Sequence, residues 1–277
     1  MFAEHPGSAR HIRQTGSDFR AGDTLLEVGT LLRPGALVAA AGADLAEVTV
    51  WRRPRLLVLG TGDELAEPGT ARLQAGRIPE SVSYGVAALA REAGADVVGT
   101  RRLPDDLTVM RAAAADSLEQ ADVVVVTGGA SVGERDFAKT MWDGTGLGLV
   151  FSKVAIKPGK PVWLGRAGST LVVGLPGNPT SALVTGRLFL VPLLHGLGGR
   201  EVMDALSWRR LPIADPLGPT GGRETFSRGF VAGEQVRLFD HQDSSAQKVL
   251  ADATLLIRRP AGTEEVGAGS LVPVLDL

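Results

Sequence analysis

Between residues 55 and 198, short apolar runs alternate with stretches whose apolar residues recur every three or four positions. Residues 55–60 (RLLVLG) predict a short buried strand. Residues 80–93 place Val82, Val86, Leu89 and Ala93 at helical spacing, and residues 95–99 predict the next strand. Asp106 suits the cap of a helix running through Val109, Met110, Ala113, Ala114 and Leu118. Residues 122–127 (DVVVVT) lack polar alternation, as in a strand buried on both faces. Residues 136–142 predict the start of a further helix, and residues 151–156 and 171–174 predict strands. Asn178 followed by Pro179 predicts a helix start with proline at the first position, the helix running to about His195. Strands interleaved with helices predict an α/β fold: a mostly parallel sheet with helices on both faces.

The flanks read differently. Residues 1–53 are rich in Gly and Ala, with short apolar runs at Leu31-Leu32 and 48–51, and Pro54 after Arg52-Arg53 marks a boundary. Beyond residue 198, turn clusters at 216–219, 221–222, 260–262 and 267–269 separate short runs such as 254–257 and 271–275, which predicts a small β domain. The expected division is therefore 1–53, 54–198 and 199–277.

Composition narrows the function classes. A chain of 277 residues holds roughly two domains at about 150 residues each. The 29 basic and 31 acidic residues nearly cancel, giving −2, so no basic field points to nucleic acid. The absence of cysteine excludes disulfides, zinc ribbons, iron–sulfur clusters and thiol nucleophiles. Aromatic residues at 5% argue against a stacking platform for single strands. Residues 1–20 lack the pattern of a secretory signal, and the most apolar stretch, 183–197, is interrupted by Arg187 and too short to span a bilayer. A cytoplasmic protein without membrane or nucleic-acid partners is expected.

Four loops carry candidate chemistry. The first, 127–136 (TGGASVGERD), leaves a buried strand and enters a helix. Ligands of open α/β sheets bind at the carboxyl ends of strands, and Gly128 and Gly129 let backbone N–H groups approach one closely. The loop reads as a phosphate cradle or as a tight turn. Within it, residues 129–133 (GASVG) fit the G-x-S-x-G elbow of serine hydrolases. That chemistry needs a downstream histidine, and only His195 and His241 are available, with no HGGG-type segment upstream. Ser131 thus reads as a phosphate-binding hydroxyl or turn residue, and a serine hydrolase as the distant alternative. The second loop is 152–161 (SKVAIKPGKP). As a strand it sets Lys153, Ala155 and Lys157 on one face, with Val154 and Ile156 toward the core. Two ammonium groups on one face call for an anion between them; an exposed edge with solvated lysines is the other reading.

The third loop, 60–65 (GTGDEL), offers Thr61, Gly62, Asp63 and Glu64 for a ligand's hydroxyl or amine groups or for magnesium, or simply caps a turn. It lacks the third glycine of a dinucleotide fingerprint. The fourth, 174–179 (GLPGNP), places Pro176, Gly177, Asn178 and Pro179 between strand and helix at the same edge. Glycines, two lysines and carboxylates at one rim suit an anionic ligand with polar groups, aided by magnesium. The Walker A pattern and HExxH are both absent.

TGDEL, TGGASVGERDF, KVAIKPGKP and GLPGNPTSA, in this order and spacing, resemble the molybdopterin molybdenumtransferase family, which includes the gephyrin E domain. The resemblance runs from about His11, through HIRQTGSDF, to RETFSRGF and the carboxyl end. It implies a molybdopterin-binding α/β domain followed by a C-terminal β domain. It also implies an activity, the insertion of molybdate into adenylylated molybdopterin with magnesium and release of AMP. Residue by residue it implies catalytic roles for Glu64, Asp105, Asp136, Lys153 and Lys157, with Asp105 and Asp136 toward magnesium. Pro176 and Pro179 match functional prolines. Asp18, in GSDF where the family shows G-E-D, matches an acidic position, and Ser244 or Ser245 a serine from the C-terminal domain. Two departures stand out. Residues 1–53 match only part of the family's N-terminal region, which leads us to expect a homodimer or a separate subunit supplying the remainder. Glu80-Ser81-Val82 replaces the family's Asp-Ser/Thr-Asn. A molybdopterin-binding or regulatory relative without turnover is the alternative reading.

Overall fold

The computed structural model describes residues 13–128 and 137–277. They fall into two compact units, Met1–Trp51 and Arg52–Leu277. The first holds one helix, α1 (Pro34–Gly42), which starts with proline where a missing N–H costs nothing. Ala40 is its one buried residue among those described, while Val28, Val38 and Trp51 stay exposed.

The second unit begins with β1 (Arg55–Thr61), the short β2 (Leu65–Ala66) and β3 (Ile78–Pro79), α2 (Val82–Glu92), β4 (Asp96–Leu103), α3 (Leu107–Gln120) and β5 (Val123–Thr127). It continues through α4 (Phe137–Thr140), β6 (Gly148–Phe151), β7 (Ile156–Lys157), β8 (Trp163–Ala167), β9 (Thr170–Leu175), α5 (Pro179–Thr185) and α6 (Val191–Leu197). The C-terminal part holds β10 (Arg209–Pro212), β11 (Glu224–Ala232), β12 (Gln235–Leu238), α7 (Gln247–Asp252), β13 (Leu255–Arg259) and β14 (Leu271–Asp276).

The main sheet runs β4-β1-β5-β9-β8-β6; the first four strands are parallel, and β8 runs antiparallel to both β9 and β6. The uninterrupted valines of β5 fill both faces. Val123 and Val125 join Leu56, Val58, Val86 and Ala90 on one side, and Val124 and Val126 join Leu57, Leu59, Met110 and Ala114 on the other. Each such side chain contributes about 1.5–3 kcal/mol by leaving water. Asp106 caps α3 as its sequence position predicts, its Oδ1 accepting from the N–H groups of Thr108 (2.8 Å) and Val109 (3.2 Å). β4 extends past the expected residue 99 because it pairs with the whole of β1, up to Thr61 opposite Leu103.

A second sheet, β10-β14-β13-β11-β12, has its own core of Ile213, Val236, Leu255, Ile257, Val272 and Val274. Its other side presents Phe226, Leu256 and Leu275 to the core shared with α5 and α6. Those helices join through a π-helical stretch, Gly186–Leu190, into one helix over Pro179–Leu197. Pro192 has no N–H to close a helical bond, and the widened turn absorbs the mismatch. The helix is apolar and 19 residues long, and two-thirds of it is buried within the fold. Arg187 is accommodated by donating to the carbonyls of Asp276 (2.8 Å) and Ala205 (2.6 Å).

The strand expected over residues 151–156 is not formed. β6 ends at Phe151, and Val154 N–H bonds back to Lys160 O (3.1 Å) while Ile156 N–H bonds to Val154 O (2.9 Å). The chain therefore folds on itself before β7, and β7 pairs with β11 of the second sheet, Ile156 opposite Glu224 and Lys157 opposite Thr225.

His195 is buried in α6 with its Nδ1 unpartnered, and burial, with help from Arg200 and Arg187, lowers its pKa. The unfolded chain therefore binds this proton more readily than the folded one. Stability from this group is complete above the unfolded pKa of about 6.5 and declines as pH falls through it. We expect the urea midpoint to fall between about pH 7.5 and about pH 5, and His195→Leu to flatten that fall. An equal fall in both proteins would show that His195 is not responsible.

Candidate active site

The carboxyl ends of three parallel strands lie in register: Gly60 of β1 is opposite Thr127 of β5, and Thr127 is opposite Leu175 of β9. The loops that follow therefore leave one rim together. Thr61, buried, donates from Oγ1 to Thr127 O at 3.2 Å. Gly128 has φ +93°, and a Cβ there would lie 2.4 Å from Thr61 O. A Cβ on Gly177 would lie 3.2 Å from Gly128 Cα. Thr61, Gly128 and Gly177, at the ends of these three strands, thus approach through backbone, with no room for a side chain at Gly128 and little at Gly177.

Carboxylates border this floor. Asp63 and Asp105 bind each other's backbone: Asp63 N–H donates to Asp105 Oδ2 at 3.4 Å, and Asp105 N–H donates to Asp63 Oδ1 at 3.1 Å. The exchange fixes the turn after β1 to the turn before α3 and leaves one oxygen on each carboxylate uncommitted. Glu64 folds back over Gly62, whose φ is +145°, so that a Cβ there would meet Glu64 Oε2 at 2.6 Å. Among the described residues no three His, Asp or Glu side chains are grouped to hold a metal.

The lysine loop is not the strand face that its alternation predicts. Lys153 and Lys157 do not share the face of one buried strand, since residues 152–155 are irregular. Both side chains are exposed, and no carboxylate among the described residues pairs with either. Their turn is nonetheless anchored. Gly159 is buried at φ +105°, and a Cβ there would lie 2.2 Å from Thr185 Cγ2 on α5. The helix that starts in the GLPGNP loop therefore carries the lysine turn on its flank.

Asn178 stands at the N-cap of α5 but makes no capping bond. Its Nδ2 donates instead to Ser244 Oγ (3.1 Å), and Thr180 N–H donates to Ser244 O (3.3 Å). Ser244 therefore reaches the rim, while Ser245 turns back to Asp243 Oδ1 (2.7 Å). What holds Ser244 there is Arg228, which the motif reading did not single out. Its side chain is 1% exposed and donates to Thr180 Oγ1 (3.0 Å), Asp243 O (2.8 Å) and Gln242 Oε1 (3.2 and 3.3 Å). Burial lowers its pKa, and Asp243 partly opposes this. Strand periodicity carries the missed signal: Arg228 shares the inward face of β11 with Phe226.

Asp18 is exposed in the first unit. Gly129, Ser131 and Asp136 lie outside the described residues. At the start of α2, Glu80 is buried and its Oε1 accepts from Ser83 N–H at 2.8 Å, so a side chain supplies the cap although Val82 offers no polar group.

A probable molybdopterin binding domain matches residues 57–196, and the MoeA C-terminal region (domain IV) matches residues 210–277. Molybdopterin molybdenumtransferase 2 of Mycobacterium tuberculosis is 37% identical over 277 residues, covering 97% of this chain and 67% of the relative. The chain belongs to the molybdopterin molybdenumtransferase family. The molybdopterin molybdenumtransferase of Haemophilus influenzae is 37% identical over 83% of the chain and 56% of its own length. The chain thus spans between about half and two thirds of these two relatives. A crystal structure of a molybdopterin biosynthesis moeA protein from Pyrococcus horikoshii shares the fold, with a TM-score of 0.79 at 22% identity over 95% of this chain and 63% of that one. Membership of this transferase family, together with the burial of His195, leaves the serine hydrolase reading without support.

Proposed function

We propose that the chain inserts molybdate into adenylylated molybdopterin and releases AMP. The observation that carries this reading is the contact of three glycine loops at one rim. It gives a backbone floor with glycine where the loops meet, bordered by carboxylates. In this reading residues 54–198 hold the pterin and residues 199–277 contribute Ser244, held by Arg228. Lys153 and Lys157, which pair with no carboxylate among the described residues, would supply positive charge to the phosphates and the incoming molybdate. Asn178 and Ser244 would offer neutral polar contacts, and Pro176 and Pro179 would stiffen their loop. Rigid placement of charge around the anhydride is the main catalytic means available to such a site.

Magnesium fits the donor chemistry of this rim. The ion takes one or two carboxylates and completes its shell with water and substrate phosphates, and Asp63 and Asp105 each keep an uncommitted oxygen. Asp105, with Asp136 beyond the described residues, would hold it, and it would neutralise charge on the anhydride.

The test is AMP release from adenylylated molybdopterin with molybdate and magnesium, measured with the chain alone and mixed with a full-length relative. Lys157→Ala is expected to weaken substrate binding by about 10- to 150-fold, since a charged contact to phosphate is worth about 1.5–3 kcal/mol. Pterin binding with no AMP under either condition would instead make the chain a binding relative. Unchanged affinity in Lys157→Ala would remove the lysine loop from the site.

A further inference from the structure

The turn that carries Lys153 and Lys157 has supports on three sides. It closes on itself through Val154 N–H and Lys160 O, and Gly159 seats it against Thr185 of α5. The third support comes from the second sheet. Glu224 N–H donates to Ala155 O at 3.0 Å, and β7 pairs with β11 with Ile156 opposite Glu224 and Lys157 opposite Thr225. This last support is open to fraying. Glu224 is the first residue of β11 and follows Gly221, Gly222 and Arg223, which form no strand. Backbone at a strand end, after two glycines, has little of its own to hold it.

What holds it is a column of side chains on one face of the sheet. Residues two apart on a strand share a face, so Glu224 lies beside Phe226. Phe226 is opposite Arg258 of β13. Arg258 Nε–H donates to Glu224 Oε1, and its guanidinium lies over the Trp208 ring, 5.3 Å from the centroid. Trp208 packs in turn on Phe226, with ring centroids 6.1 Å apart. Ile156 and Phe226 are both buried in the core shared with α5 and α6. Trp208 therefore fixes Arg258, and Arg258 fixes the residue whose backbone carries the lysine turn. Glu224 has no other side-chain partner among the described residues. The two side chains are 41% and 28% exposed, and an ion pair in that setting adds little to stability. Its effect falls on placement.

We infer that Arg258, acting through Glu224, is a positioning residue that sets where Lys153 and Lys157 stand against the anionic substrate. The inference rests on the proposed function in taking those lysines as anion contacts. Arg258 acts on the turn and not on the substrate itself. Two ammonium groups on a short exposed turn serve a rigid site only if the turn keeps one position.

The test joins amide hydrogen exchange with kinetics on the full chain. Arg258→Met keeps an unbranched stem beside Trp208 and removes the charge and the donor, and Glu224→Ala removes the acceptor. Arg209→Met is the control, since it breaks another exposed ion pair of the same sheet, Arg209 with Asp276. Exchange over residues 153–160, read by mass spectrometry, should quicken about threefold to tenfold in the first two variants, the reach of one partly exposed ion pair. It should be unchanged in Arg209→Met. Urea midpoints should stay close to the wild type in all three. The kcat/KM for AMP release should fall about threefold to tenfold in Arg258→Met and Glu224→Ala, and hold in Arg209→Met. In a Lys157→Ala background, Arg258→Met should cost no more than about twofold further, because both changes act through one group. A merely structural role would give the same fold loss in both backgrounds. Unaltered exchange over 153–160 in Arg258→Met overturns the inference, as do losses that multiply in the Lys157→Ala background. The two readings fail separately. Quickened exchange with no AMP release even from the wild type would sink the proposed reaction and keep Arg258 as the tie of the lysine turn. Normal AMP release with unaltered exchange would do the reverse.

Discussion

Gly128→Ala is expected to lower AMP release by at least about 100-fold, because misplacement of a rigid site by about 1 Å is enough for such a loss. It should also cost about 2–4 kcal/mol of stability, in the range of mutations that force a backbone clash. Two costs combine at this position. The backbone sits at φ +93°, where a side chain is strained by roughly 1–2 kcal/mol. The new Cβ would also lie 2.4 Å from Thr61 O, and that backbone cannot retreat without pulling on the β1–β5 ladder that ends at Gly60 and Thr127. Gly94 isolates the second cost. Its φ is +95°, yet a Cβ there would meet nothing within 4 Å. Gly94→Ala should therefore lose only about 1 kcal/mol and keep its activity. Urea midpoints of the two variants, with AMP release, make the comparison. Equal losses in both would mean that the rim is not packed as described.

That glycine was visible in the sequence because its signal is local. A strand-to-helix loop rich in glycine needs only its neighbours to be recognised, and the same holds for the valines of β5 and for Asp106. The lysine loop misled for the opposite reason. Alternation over Lys153, Ala155 and Lys157 is what a strand would show, but the exposure alternates in an irregular segment whose turn is anchored by Gly159 against Thr185. Asn178 has the identity of a cap and the position of a cap. Its side chain is drawn off by Ser244, 66 residues away in sequence. Pairing of that range leaves no periodic trace. Thr61, Gly128 and Gly177 were legible as loop residues, and their mutual contacts came from the sheet.

Arg228→Ala should be the most damaging substitution in the second sheet. An arginine at this depth is costly to bury, and here it is held by neutral acceptors rather than by a close carboxylate. Replacement with an apolar residue removes that desolvation cost, an exchange that can be nearly neutral when the whole polar set leaves together. In this protein the partners would remain. Thr180 Oγ1 and Asp243 O would each lose a donor while Gln242 Oε1 would keep the backbone N–H of residue 228, and an unsatisfied buried acceptor such as Thr180 Oγ1 costs about 1–3 kcal/mol where water cannot reach it. A net loss of about 2–3 kcal/mol follows, read from urea unfolding. Arg228→Lys keeps the charge but not the fork and should fall between the two. The functional effect separates from the structural one through Ser244. Arg228 holds the 242–243 segment, so its loss frees Ser244 from the GLPGNP loop, whereas Ser244→Ala removes one exposed hydrogen bond and should cost at most about 1 kcal/mol. If the C-terminal domain serves the reaction by presenting Ser244, both variants lose AMP release while only Arg228→Ala loses stability. Full activity in Ser244→Ala would reduce Arg228 to a purely structural tie between β11 and α5.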